Sequence, residues 1–93
     1  MTKLGDFILE RMKKLKYIQN DLVLRTGICK GYISLIISNK RSITIRNAIA
    51  LARVLEVDPC YLMKVQYEYL IQEELNRIEN VNKIRRLNYK KAS

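Results

Sequence analysis

The sequence predicts an all-α domain of five helices, the last of them extended. Apolar residues recur at three- and four-residue spacing along most of the chain, the period of a helix with one buried face. Helix breakers are scarce, with three glycines and one proline in 93 residues. Neither interrupts the stretch from Cys60 to Ser93. A chain of this length makes one small domain with at most a tail, and its modest core often relies on dimerisation.

In the first helix, over residues 2–15, Leu4, Phe7, Ile8, Met12 and Leu15 make the apolar stripe. Lys13, Lys14 and Lys16 at its end complement the negative end of the helix dipole, as a solvated helix end or as phosphate contacts. Tyr17-Ile18 leads to a second helix over 19–26, where Asn20 and Asp21 suit the positive end. Gly27 supplies the left-handed conformation that closes it. The third helix starts near Cys29 or Lys30, weakly marked because cysteine is a poor N-cap. Taken alone, its YISLIIS stretch also suits a strand; the helical neighbours decide for a helix.

Ser38 to Ser42 make a turn, and Thr44 caps a fourth helix from Ile45 to Leu55, with Ala48, Ile49, Leu51, Ala52 and Leu55 inward. Asp58 and Pro59 open the fifth as cap and first residue. There Tyr61, Leu62, Val65, Tyr69 and Leu70 are expected to face the domain. Ile71, Leu75, Ile78, Val81, Ile84 and Leu87 then continue an apolar stripe that so small a domain has little core to cover. The expected division is a domain over 1–70 and a helical extension with a basic tail over 71–93.

Lys plus Arg number 18 against 9 Asp plus Glu, a net charge of +9 that favours a polyanionic partner. The charge is uneven: residues 59–82 carry two cations and four anions, whereas 83–93 carry five cations and no acid. With no histidine, no CxxC pair and only Cys29 and Cys60, a Cys/His zinc site is excluded. Both thiols are read as small packing residues of a reducing cytoplasm. No signal peptide or membrane span is expected, because the Phe7-Ile8-Leu9 run is short and closely flanked by charge. Neither a Gly-rich phosphate loop nor a paired-carboxylate motif occurs, so no enzyme and no cofactor is expected.

The stretch from Gln19 to Arg41 organises the rest. It reads as two short amphipathic helices joined at Gly27. In the second, Ile33, Ile36 and Ile37 fall on one face, leaving Lys30, Gly31, Tyr32, Ser34, Leu35 and Ser38 on the other, with Asn39-Lys40-Arg41 beyond. A buried face, a small or polar outer face and basic flanks suit a helix that lies in the DNA major groove.

Residues 18–41 resemble the Cro/lambda-repressor (Xre) type of helix-turn-helix at Gln19, Asp21, Leu22, Gly27, Ile28, Ile33, Ile36, Asn39 and Lys40. Gly5-Asp6, Ser42-Ile43-Thr44, Ala48, Leu51, Ala52 and Leu55, with Pro59, Tyr61, Leu62, Val65, Gln66 and Tyr69, resemble the HigA-type (VapI-like) antitoxin branch. Cys29, Leu62, Leu4 and Ile45 depart from that branch's usual Ser, Trp, Pro and Pro.

The resemblance implies a lambda-repressor-like fold and a cytoplasmic homodimer that binds a palindromic double-stranded operator and represses its own operon. As an antitoxin, the chain would also neutralise a RelE-like ribonuclease toxin; the alternative is a stand-alone phage-type or mobile-element regulator. By family position Gln19 contacts a phosphate and braces the reading helix. On the outer face, with Gly31, Lys30 is expected to reach a guanine edge, Tyr32 a base or a phosphate, and Ser34 several bases with weak discrimination, while Leu35 is read either as a thymine-methyl contact or as an ordinary core or dimer residue. Ser38, Asn39, Lys40 and Arg41 hold phosphate, with Asn39 also a helix cap. Tyr61, Val65, Tyr69, Leu75 and Ile78 are the candidate dimer or partner surface.

Overall fold

The computed structural model describes residues 2–92, with side chains as far as Glu79. Five helices follow in order: α1 Leu4–Leu15, α2 Gln19–Thr26, α3 Lys30–Ile37, α4 Ile45–Leu55 and α5 Pro59–Ala92. No strand occurs among the described residues, so YISLIIS is helical, as its neighbours require. The extended fifth helix is continuous across the expected boundary near residue 70.

Each boundary has a local cause. Lys16 closes α1 in the left-handed conformation (φ 60°), its N–H donating to Lys13 O while the Tyr17 N–H donates to Met12 O. The Asp21 carboxylate reaches back to accept the Ile18 N–H at 2.8 Å, satisfying a donor at the start of α2. Gly27 (φ 75°) ends α2, and its N–H donates to Val23 O. Thr44 Oγ1 accepts the Asn47 N–H at 3.3 Å at the start of α4. Asp58 Oδ1 accepts the Cys60 N–H at 2.8 Å, with Pro59 in the first helical position where no N–H is needed. At the end of α4, Glu56 is left-handed (φ 58°), and the Arg11 guanidinium donates twice to Leu55 O, at 3.1 and 2.9 Å.

One core joins all five helices: Ile8 and Met12 of α1, Leu22 of α2, Ile33 and Ile36 of α3, Leu51 and Leu55 of α4, Leu62 and Val65 of α5. Three expectations are corrected. Ile49 is 42% exposed, because one step past Ala48 turns it about 100° from the inner face of α4. Tyr61 and Leu70 are also largely outside, at 47% and 38%. Tyr61 leans on the domain through an edge-on contact with Phe7, ring centroids 5.3 Å apart. Cys29 and Cys60 are exposed rather than packed; they occupy the cap of α3 and the first turn of α5, off the buried stripes.

Two junctions fix α3 in this frame. Gly5 sits against the C-terminal end of α3, where an added Cβ would lie 2.6 Å from Ile36 O, closer than real Cβ atoms come. There Asn39, left-handed at φ 63°, accepts the Gly5 N–H on Oδ1 at 2.8 Å and donates from Nδ2 to Asp6 Oδ1 at 3.3 Å. The Lys40 N–H donates to Leu35 O and the Asn39 N–H to Ile36 O, so one residue closes α3 and caps α1. On the other side Gln66 of α5, 5% exposed, holds both backbone groups of Ile43. Its Oε1 accepts the Ile43 N–H at 2.7 Å, and its Nε2 donates to Ile43 O at 3.1 Å.

Gly5→Ala is expected to lower stability by about 2 kcal/mol or more through backbone overpacking, read as a lower thermal midpoint. Gln66→Ala strands a buried donor and acceptor, and should cost about 2–6 kcal/mol in chemical denaturation at roughly 1–3 for each unsatisfied group.

Candidate nucleic-acid interface

The three-residue link from Gly27 to Cys29 lets α2 turn sharply into α3. The hinge is held by the Thr26 hydroxyl, which donates to Leu22 O and accepts the Ile28 N–H at 3.1 Å. Ile33, Ile36 and Ile37 then bury one face of α3. Lys30, Gly31, Ser34 and Ser38 are exposed on the other, and Leu35 is 38% exposed beside them. Leu35 therefore lies on the outer face, not in the core. A Cβ on Gly31 would meet nothing within 4 Å, so the helix backbone is bare there.

No side chain caps the start of α3. The weak cap read at Cys29 thus leaves a helix N-terminus, the positive end of the dipole, turned outward beside Lys30. Gln19, half-buried, opens α2. Lys40 and Arg41 are exposed in the loop after α3. The surface combines short polar side chains, an open helix end and flanking cations, which suits a polyanion whose edges must come close.

Tyr32 behaves differently from its neighbours. Its ring is half-buried against the core. Its hydroxyl donates to Ser42 O at 2.9 Å, and the Arg41 guanidinium lies 5.3 Å from the ring centroid. The hydroxyl thus braces the loop that carries Lys40 and Arg41. The Asn39 amide is likewise engaged inside the protein, while the Ser38 hydroxyl donates to Leu35 O at 3.2 Å. Of the loop positions, Lys40 and Arg41 are the exposed cations, with Arg41 resting over the Tyr32 ring.

The five candidate partner residues separate. Val65 is a correction: it is 8% exposed and belongs to the domain's own core, because α5 lays this position on α4 and α1. Tyr69 is half-buried, with Lys3 over its ring at 5.3 Å and its hydroxyl donating to Glu73 Oε1 at 2.9 Å. Tyr61 leans on Phe7. Leu75 and Ile78 are open, at 52% and 43% exposure. The cations expected from Lys83 onward lie outside the residues whose side chains are described. A cleft of about 360 Å³ is lined by Lys3, Lys40, Arg41, Gln66, Tyr69 and Glu73.

Sequence reasoning assigned no role to Gly5, Asp6, Arg11 or Gln66, which position the surface without joining it. A polar Gln66 inside an apolar stripe was the available signal. Among the described residues no group of three or more Cys, Asp or Glu stands ready for a metal. No helix there is long and apolar enough to cross a membrane.

Comparison with known proteins agrees with this geometry. A helix-turn-helix family model, HTH_3, matches residues 8–62, more than half of the chain. No curated protein matches the sequence. A crystal structure of a hypothetical protein from E. coli has the same fold, with a TM-score of 0.78 and 24% identity over 89% of this chain and 86% of that one. A complex of the SinR and SinI proteins aligns with a TM-score of 0.62 and 19% identity, over 97% of this chain and 99% of that one. With α3 buried on one face and open on the other within residues 8–62, the chain belongs to the helix-turn-helix family HTH_3, and its broad role is that of a DNA-binding transcription regulator.

Proposed function

We propose that the chain is a sequence-specific repressor that binds a palindromic double-stranded operator as a homodimer, with α3 in the major groove. The outer face of α3 carries this reading: exposed Lys30, Gly31, Ser34 and Leu35 between an open helix N-terminus and the cations of the following loop. In its finer form the chain is the antitoxin of a type II module that represses its own operon and neutralises a RelE-like ribonuclease. The resemblance at Gly5-Asp6, Ala48, Leu51, Ala52 and Gln66 to Tyr69 supports that form. The SinR/SinI complex shows that a protein of this fold can be found with a protein partner.

A second reading, a stand-alone regulator without a toxin, fits the same structure. Gln66 and Val65 serve the fold itself, one holding Ile43 and the other filling the core. A regulator of either kind needs them equally. Co-expression with the chromosomal neighbour separates the two readings. An antitoxin co-purifies with a small basic protein and shifts the upstream promoter fragment with it; a stand-alone repressor shifts that fragment alone.

Lys40→Ala should weaken binding to every duplex and lower the salt-dependence slope by about one unit per half-site; titrations at several salt concentrations read this, and an unchanged slope removes Lys40 from the phosphate contacts. Lys30→Ala should relax the preference among operator variants. Tyr32→Phe should lower affinity evenly across those variants, because it loosens the Lys40–Arg41 loop rather than removing a base contact. A competition series of operator variants distinguishes the two outcomes.

A further inference from the structure

The start of α1 lies beside the end of α3. Gly5 comes close to the Ile36 and Ile37 carbonyls, and its N–H donates to Asn39 Oδ1 at 2.8 Å. Two positions earlier, Lys3 is exposed and lines the same cleft of about 360 Å³ as Lys40 and Arg41. Cations from two distant segments of the chain thus border one concave space. That grouping comes from the Gly5–Asn39 junction, not from any local spacing.

α5 lines the cleft with Gln66, Tyr69 and Glu73, which fall at i, i+3 and i+7 on one helix face. Tyr69 holds Lys3 in place, with the ammonium 5.3 Å from the ring centroid. The ring quadrupole attracts the cation, so less side-chain freedom is left to lose when an anion arrives. The Tyr69 hydroxyl donates to Glu73 Oε1 at 2.9 Å. Glu73 is the acid among the lining residues, against the cations Lys3, Lys40 and Arg41. A concave space with an excess of cations, next to the loop after α3, suits a phosphate group. The other ion pair on this part of α5, Lys64–Glu68, is turned roughly to the opposite side of the helix at about 100° per residue.

We propose that Lys3, oriented by Tyr69, is a further contact to the DNA backbone, and that the cleft seats a phosphate of the operator between the start of α1, the loop after α3 and α5. The proposal rests on the DNA-binding reading and extends its phosphate surface beyond the helix-turn-helix. α5 then takes part in DNA binding through two side chains of opposite effect. Tyr69 positions a cation for the phosphate, and the Glu73 carboxylate opposes it.

Fluorescence anisotropy of the full chain with the upstream promoter duplex and an unrelated duplex, at several salt concentrations, tests this. Lys3→Ala should weaken binding to both duplexes alike, and the affinity lost between about 50 and about 200 mM salt should shrink by about 3.5-fold per contact removed. Lys64→Ala, on the opposite side of α5, should leave that loss unchanged. Glu73→Gln, which can still accept the Tyr69 hydroxyl, should tighten binding more than Glu68→Gln does. Tyr69→Leu should weaken binding by about two- to fivefold, the scale of an exposed cation–π contact. In the Lys3→Ala background it should add nothing, because it acts through Lys3. Tyr69→Phe keeps the ring and should bind as the original does. An unchanged thermal midpoint shows that the variants fold. The proposal is overturned if Lys3→Ala leaves the salt dependence as it was, if Lys64→Ala moves it as much, or if Tyr69→Leu costs as much with Lys3 already removed. In those cases a lowered slope for Lys40→Ala leaves the DNA-binding reading standing, whereas a chain that binds neither duplex overturns both. Inorganic phosphate titrated at constant ionic strength separates the other source of the same group. Tyr69 and Gln66 side-chain resonances that saturate with phosphate, while Lys3→Ala binds DNA unchanged, make the cleft a free-phosphate site and overturn the DNA contact.

Discussion

A helix that reads DNA must be held at both ends without spending its outer face, and here the backbone contact between Gly5 and the end of α3 sets that condition. Only a residue without a Cβ lets α1 come so near the Ile36 and Ile37 carbonyls. That approach brings the Gly5 N–H within reach of Asn39, whose left-handed backbone ends α3 and whose amide ties α1 to it. The N-terminal donors of one helix and the C-terminal acceptors of another are satisfied by the same residue. Gln66 repeats the device on the far side, holding the loop after α3 by both backbone groups of Ile43. The Lys30, Ser34 and Leu35 side chains on the outer face of α3 are left exposed, which is the prerequisite for reading an external partner.

Much of this was legible in the residues. The helices α2 to α4, the Gly27 turn, the Thr44 cap and the Asp58–Pro59 start follow from local rules of capping and periodicity, and such rules depend only on near neighbours. The outward placement of Lys30, Gly31, Ser34 and Leu35 followed from the same periodicity. What stayed hidden depends on residues far apart in sequence. Asn39 lies 34 positions from Gly5, and Gln66 lies 23 from Ile43; no local pattern reports such a contact. Tyr32 shows the limit of helical spacing. Its position reads as outward, yet a long ring can lean back to the core and commit its hydroxyl to Ser42. Cys29 and Cys60 mislead for the opposite reason: their apolar character suggests packing, but helix ends lie off the buried stripe.

α5 serves two ends of the molecule differently. Its first turns are structural, filling the core with Leu62 and Val65 and anchoring the loop through Gln66. Beyond Leu70 the described side chains are exposed and pair only within α5. A helix packed on the domain at one end and exposed at the other leaves its outer turns open to a partner. Affinity for DNA is expected to come mostly from phosphate contacts and specificity from the few side chains of α3.

The central claim is that the outer face of α3 and the loop after it form the DNA surface. Amide resonances followed by NMR during titration with a short duplex at low salt test it most directly. The account predicts shifts concentrated at Gln19, Lys30 to Leu35, Lys40 and Arg41, fading as salt is raised. Shifts confined to α5 beyond Leu70, with Lys30 to Leu35 unmoved, would contradict it.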